Sequence, residues 1–577
     1  MKQYKSLLCL ALLLLTIQMA NSQTSYLEIP QGKRFVEIQG VHVDENGNYN
    51  HEEFESKKDI IFRTIRDDVP NRTLGDGTVY VLKRNHVYVQ ASMIEHQGLD
   101  IHIRGEAGAG RLPLILHDNP NANAGAALIR AHQNVILENF EFDGKCPDTN
   151  FGNRLIDFRG PDSRVIIKGC RFTNDRGGAI TIEGAGLRMK LYVYDCVMGN
   201  QGHYISYGGN GRALDIRVNN ETGYIDTVVF KNNTIYNLTD RVVRSMGGIV
   251  TYMEFDHNTF VNNQGVHGSI QFGNTKEGVI TNNIFVNPIT LGNRLDSKWR
   301  TEQTQQTQND HPDKAFAIVT HNGTVQRLKE GEIKRIVMRN NNIFFEREFL
   351  DLFAAHPTLF SPTVRTASDA VLQYLDGDPS QMSFSEVLAF DYNDLQAGVL
   401  GSLSSYKDVL DFTKAFVENP ERADWPENWS KIYPHEWNAV YPTSSRSYTA
   451  GDNGFPLGDL NWFPADKARW LSGSTKSGEV SNNSPKTIAI ERAFPNPFVS
   501  DATVDFSLTT GQRVEISVYN SLGQKISTIY SGQLQKGAHR ITWDGKGANG
   551  TAQPNGFYFL MIAGSSERVS SKFVKSE

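Results

Sequence analysis

Between Cys170 and Pro288, large apolar residues recur at a fixed place ahead of an asparagine. Five segments align: CRFTN ending at Asn174, CVMGN at Asn200, NTIYN at Asn237, NTFVN at Asn262 and NIFVN at Asn287. Phe172, Met198, Ile235, Phe260 and Phe285 each stand two positions before the asparagine. The asparagines are 26, 37, 25 and 25 residues apart. Repeats of this length, one strand–turn–strand unit each, are a solenoid signature. The pattern predicts an all-β parallel β-helix with the apolar column inside and the asparagines stacked in one turn column. Strands in such a stack lie about 4.8 Å apart, close enough for amide-to-amide bonds. A buried amide without a partner costs roughly 1–3 kcal/mol, so the column stabilises the fold only if each rung carries it.

Other patterning frames this stretch. In 51–66, Phe54, Ile61 and Ile65 fall on one helical face, which predicts an N-terminal cap helix over the open core. Strand runs follow at TVYVLKRNHVYV, LDIHIRG, Asn134–Phe142 and Arg164–Phe172. Residues 289–332 break the rhythm with a glutamine-rich insertion, and one more rung is expected at Arg335–Phe344. From 345 to 470 we expect the end of the coil plus a segment packed across it. This part includes a helix at 404–416 and the turn-rich string Gly451–Pro464. Residues 471–487 have linker composition. Period-two alternation then returns in Val504/Phe506/Leu508, Val514/Ile516/Val518, Ile541/Trp543 and Phe557/Phe559/Met561. Short strands of this kind predict a small C-terminal β-sandwich over 488–577.

Length and charge narrow the options. A chain of 577 residues is too long for one compact domain, a limit that a solenoid escapes by growing along one axis. A net charge of −6 argues against a general nucleic-acid binder. Lys2 and Lys5, the apolar run Leu7–Ile17 and Ala20-Asn21-Ser22 read as a signal peptide over 1–22. The expected mature domain is then 23–470. No later run is long and apolar enough for a transmembrane segment. The expected location is therefore secreted or at the outer cell surface. Cys170 and Cys196 occupy matching places on neighbouring rungs and read as small buried residues, a disulfide between them being the alternative.

Two resemblances follow from these residues. Ala493–Phe498, Val518–Ile526, Gly537–Gly550, Pro554–Phe559 and the closing KFVKSE resemble the type A sorting domain of the type IX secretion system. That resemblance implies the secretion machinery as a partner of 488–577 and removal of the tail at export. The repeats and asparagine column resemble the right-handed parallel β-helices of the pectin-lyase-like superfamily. This group holds lyases, hydrolases, esterases and silent adhesins, so the fold alone does not choose a function.

Candidate chemistry lies just after each counted asparagine. Equal offsets on adjacent rungs would gather His203, Tyr204, Asp240, Arg241, Arg244 and His267 on one surface. Arg176, Gln264, Lys298 and Arg300 would stand nearby as substrate contacts. β-Elimination on a uronate needs a cation at the carboxylate and a base near the α-proton. Arg241 and Arg244 suit the first role, and His203, Tyr204 or His267 the second. The reading is a polysaccharide lyase acting on an acidic polysaccharide. A glycan-binding adhesin and a glycoside hydrolase are the alternatives. Bound calcium is a further source of the cation, and no metal ligands are assigned. A polygalacturonase aspartate pair is absent, as are pectate-lyase strings. Gly247–Asn262 also lacks the arginine that the chondroitinase-B and alginate-lyase group carries there. No catalytic residue is therefore carried over from a family.

Overall fold

The computed structural model describes residues 26–473 and 488–576. It leaves out 45–47, 97, 119–126, 145–153, 176, 185–187, 202–210, 219–223, 246–247, 264, 266–267, 291–294, 296–316, 321–333, 361–363, 391–438, 497, 521–524 and 565–567. The signal segment 1–22, the helix expected at 404–416 and nearly all of the linker lie outside the described residues.

Three long sheets wind into one coil, each rung giving a strand to each sheet in turn. Among the described residues, sheet one has ten strands, from Arg34–Ile38 and Thr78–Leu82 to Arg335–Arg339. Sheet two has eleven, including His86–Gln90, Thr234–Leu238, Thr259–Asn263 and Asn341–Phe344. Sheet three has nine, including Ala127–Ala131, Arg154–Phe158, Gly178–Glu183, Arg212–Arg217 and Val243–Ser245. Strands of the described coil pair in parallel except at one edge, where Val41–His42 runs antiparallel to His86–Gln90. The architecture is the parallel β-helix that the repeat predicts.

The apolar column holds in register: Phe142, Phe172, Met198, Ile235, Phe260, Phe285 and Ile343 are successive strand partners. Phe172 to Phe285 are fully buried, and the Phe260 and Phe285 rings stack at 4.7 Å. Asn174, Asn237, Asn262 and Asn287 all adopt left-handed backbone angles, a conformation asparagine tolerates better than most residues. Asn287 Nδ2 donates to Asn262 Oδ1 (2.9 Å), and Asn262 Nδ2 to Asn237 Oδ1 (3.1 Å). Asn200 holds the matching place between Gly199 and Gln201, the strand partners of Tyr236 and Leu238. Asn174 instead donates to Asp143 (2.9 Å).

A second amide column runs beside the first, four residues earlier in each rung. Asn233 Nδ2 donates to Asn258 Oδ1 (2.8 Å), Asn258 Nδ2 to Asn283 Oδ1 (3.0 Å) and Asn283 Nδ2 to Asn341 Oδ1 (3.0 Å). Each acceptor oxygen also takes the backbone N–H of the residue below it, at 2.8–3.1 Å. Cys196 and Cys170 head this column; both are buried free thiols, so no disulfide joins them.

The N-terminal cap differs from the single helix expected. Two helices form, His51–Ser56 and Ile60–Asp68, broken at Asp59. Asp59 takes a left-handed conformation, and its carboxylate accepts the N–H groups of Ala91 and Ser92, both at 2.7 Å. Ile61 and Ile65 cover the coil core as predicted, whereas Phe54 packs outside it against Val87, Val89, Leu114 and Leu116.

Beyond the last rungs, Tyr441, Leu457 and Phe463 pack on the outer face of sheet two against Tyr236, Val261, Val286 and Phe344. Asp459 seats this strap: its N–H donates to Thr259 Oγ1 (2.9 Å), and its carboxylate accepts from Thr234 Oγ1 (2.7 Å). The N-terminal end meets the same region. Tyr26 stacks on Tyr194 at 4.4 Å and sets its ring edge-on to Trp470 at 5.7 Å.

Residues Ile488–Lys575 form an antiparallel sandwich of a three-stranded and a four-stranded sheet. Its core joins Val504, Phe506, Val514, Ile516, Trp543 and Phe573, separate from the coil core.

Candidate functional site

The outer face of sheet three carries a dense set of ion pairs. In Arg212–Arg217, Leu214 and Ile216 enter the core, and strand alternation sends Asp215 outward. The same holds for Arg130 between Ile129 and Ala131, and for Asp157 between Ile156 and Phe158. Register then stacks Glu95, Arg130, Asp157, Thr181, Asp215 and Arg244 in one column. Arg154 and Arg212 flank it, with Gly178 between them.

Two carboxylates organise these cations. Arg244 grips Asp215 with two parallel bonds, Nε to Oδ1 and Nη2 to Oδ2, both 2.7 Å. Arg217 Nε (2.7 Å) and Arg212 Nη1 (3.1 Å) reach the same group. Burial alone would raise the Asp215 carboxyl, but the guanidiniums of Arg212, Arg244 and Arg217 reverse this and hold it well below the usual carboxylate range. Burial, with the Arg212 charge, pulls the Arg244 guanidinium down to about 10 against the pull of Asp215. Two rungs away, Asp157 accepts from Arg159 (2.8 Å) and Arg130 (3.3 Å).

Of the residues singled out from sequence, Asp240, Arg241 and Arg244 converge here. Asp240 accepts from Arg212 Nε (2.6 Å) and Arg241 Nε (2.7 Å). Asp240 and Arg241 are fully buried, however, rather than on an outer surface. The backbone explains this. After Asn237 the chain turns inward, where Asp240 N–H donates to Gly211 O and Asp240 O accepts from Gly265 N–H. Burial lowers the Arg241 guanidinium pKa, with Asp240 opposing. Arg244 stays at the rim, 9% exposed. Arg176, His203, Tyr204, Gln264, His267, Lys298 and Arg300 lie outside the described residues.

The offset rule missed Asp215, Asp157 and Arg212. A signal was present, since RLIDF and RALDIR share an arginine three places before an aspartate on sheet-three strands two rungs apart. With Arg217 and Arg159 half-buried, the face presents guanidiniums in excess over carboxylates, an arrangement suited to carboxylate ligands. Among the described residues, no group of three or more His, Cys, Asp or Glu is placed to hold a metal ion.

Residues 498–567 match the family described as the FlgD Ig-like domain. Over 53 residues the chain is 38% identical to the basal-body rod modification protein FlgD of Salmonella typhimurium, and equally to that of Salmonella typhi. This stretch is 9% of the chain and spans 23% of the length of those relatives. A structural likeness to dimeric latent PorU from Porphyromonas gingivalis covers 17% of this chain and 10% of that one, at 18% identity and a TM-score of 0.14. The C-terminal sandwich is therefore Ig-like. No described helix is long and apolar enough to cross a membrane.

Proposed function

We propose that this chain is an exported β-helix protein that acts on an acidic polysaccharide by β-elimination along the outer face of sheet three. The observation that carries the reading is the arginine cluster on Asp215, with Arg244 and Arg217 at its rim. A uronate carboxylate seated there is neutralised, which acidifies its α-carbon C5–H. A base takes that proton, the electron pair forms the C4=C5 bond, and the C4–O bond breaks. The departing oxygen is protonated by the base or by water. His203, Tyr204 and His267 are the base candidates. Asp215 positions the arginines and does not touch the sugar.

Export completes the reading. The leader 1–22 directs the chain across the inner membrane. The Ig-like sandwich acts as a type IX sorting domain, placing residues 23–470 outside the cell. The resemblance of Ala493–Phe498 and Gly537–Gly550 to such domains supports this. A second reading, a non-catalytic glycan-binding surface protein, is favoured by the buried ion pairs of Asp240 with Arg241 and Arg212, which use charge for structure. Incubating the secreted protein with alginate, polygalacturonate, chondroitin and heparin-type glycans separates the two. Ultraviolet absorbance of the unsaturated uronate supports the lyase. Binding without absorbance on any of them supports the adhesin.

A further inference from the structure

A groove lies away from the sheet-three arginines, across the strand starts of sheet one. It encloses about 560 Å³, within the roughly 300–1,000 Å³ typical of ligand pockets. Its floor follows successive rungs at Thr78, Ile101, Asn134, Arg164 and Lys190, and the segment Pro30–Lys33 forms one wall.

The charges in this groove are arranged at a cost. Arg164 and Lys190 are direct strand partners, so two like charges face each other on neighbouring strands. Such pairs destabilise a sheet. The half-buried cations Arg159 and Arg217 of sheet three have carboxylate partners, but Arg164, Lys190 and Lys33 have no ion pair among the described residues. The groove also holds Asp100, Asp162 and Asp226, with Ile136 and Ile166 beneath. Interspersed carboxylates would repel a phosphate-dense polymer and accept bonds from hydroxyls. The combination fits a ligand with sparse negative charge, many hydroxyls and an apolar ring face.

We infer that this groove is a second glycan site, holding a uronate-containing chain with one carboxylate between Arg164 and Lys190. Its ligand class rests on the acidic-polysaccharide reading, whereas its location does not. The site would hold polymer without cleaving it, raising the local concentration of chain at sheet three.

The test is calorimetric titration of polygalacturonate and alginate oligosaccharides into the full secreted chain. Arg244→Gln provides a background in which the sheet-three arginine is absent. The expected result is saturable binding that falls at least tenfold in Arg164→Gln/Lys190→Gln, and several-fold in Lys33→Gln on the opposite wall. Thermal unfolding checks that these substitutions leave the fold intact. Binding unchanged in the double variant overturns the groove, as does no binding to the unsubstituted chain. Release of unsaturated product is measured separately. Groove-dependent binding without product would remove the lyase reading and leave this site standing; product with groove-independent binding would do the opposite.

Discussion

Asn258 Oδ1 accepts two hydrogen bonds from one residue, the backbone N–H of Asn233 at 3.1 Å and its Nδ2 at 2.8 Å. Asn258 passes the same pair of bonds on to Asn283. Asn258→Ala strands the backbone N–H of Asn233, leaves its Nδ2 with Val193 O alone, and removes the side-chain donor from Asn283 Oδ1 and Phe230 O, all fully buried residues. With roughly 1–3 kcal/mol for each unsatisfied group, the loss should be about 3 kcal/mol or more. Asn237→Ala, in the column with single bonds, should cost about 1–3 kcal/mol. Denaturant unfolding of both variants measures the order; equal losses would refute the primacy of the doubly bonded column.

A pH dependence follows from Asp459. Burial is the main cause lifting its carboxyl from 3.8 to about 7, while the N–H of Asn461 and the hydroxyl of Thr234 oppose the shift. The folded pKa lies above the unfolded one, so the folded state holds the proton more tightly. This contribution to stability is full below about pH 4 and is lost as pH rises through 7. At about 1.4 kcal/mol per unit, the whole effect is up to roughly 4 kcal/mol. Asp459→Asn should flatten the decline in melting temperature between about pH 5 and pH 8. An unchanged slope would place the titration elsewhere.

Arg241 and Arg244 should separate into a structural and a catalytic effect. Arg241→Ala leaves buried Asp240 short of a partner and should destabilise the coil by about 3–5 kcal/mol. Arg244→Gln should fold, and on a cleaved glycan its turnover should fall about 10²–10³-fold. Loss of the essential base among His203, Tyr204 and His267 should cost about 10²–10⁴-fold and reshape the pH–rate profile. An Arg244→Gln protein at full activity would exclude it as the neutralising group.

Deleting residues 488–577 should leave a folded coil, because the sandwich core is separate from the coil core. The truncated protein is expected in the periplasm, with melting behaviour close to the full chain. Its appearance in the medium or on the cell surface would overturn the sorting assignment.

The inward column from Phe172 to Phe285 was legible because one residue type per rung, at a fixed offset, is all that a parallel stack demands. The companion column was not, although Cys170, Cys196, Asn233, Asn258 and Asn283 stand at one constant offset. The switch from thiol to amide along it conceals a single geometric role. At the candidate site, the offset from Asn237 put Asp240, Arg241 and Arg244 on one rung, and all three lie around the carboxylates of Asp240 and Asp215. Offsets do not encode which side of the backbone is covered, and that decides the burial of Arg241. The break at Asp59 is not legible in the sequence because helical periodicity runs through it, while the contacts that impose it come from Ala91 and Ser92, far along the chain.

The meeting of Tyr26 with Trp470 has a consequence for how the molecule comes apart. A stack of repeats ordinarily frays from its open ends, each unit melting after its neighbour. Here residues near both extremities of the coil-bearing segment are fastened together over the middle rungs, at Tyr194 and Asn232. Peeling either end must first release that clasp. Amide exchange in the central rungs should then report one concerted opening rather than a gradient, and proteases should find few partly opened forms to cut.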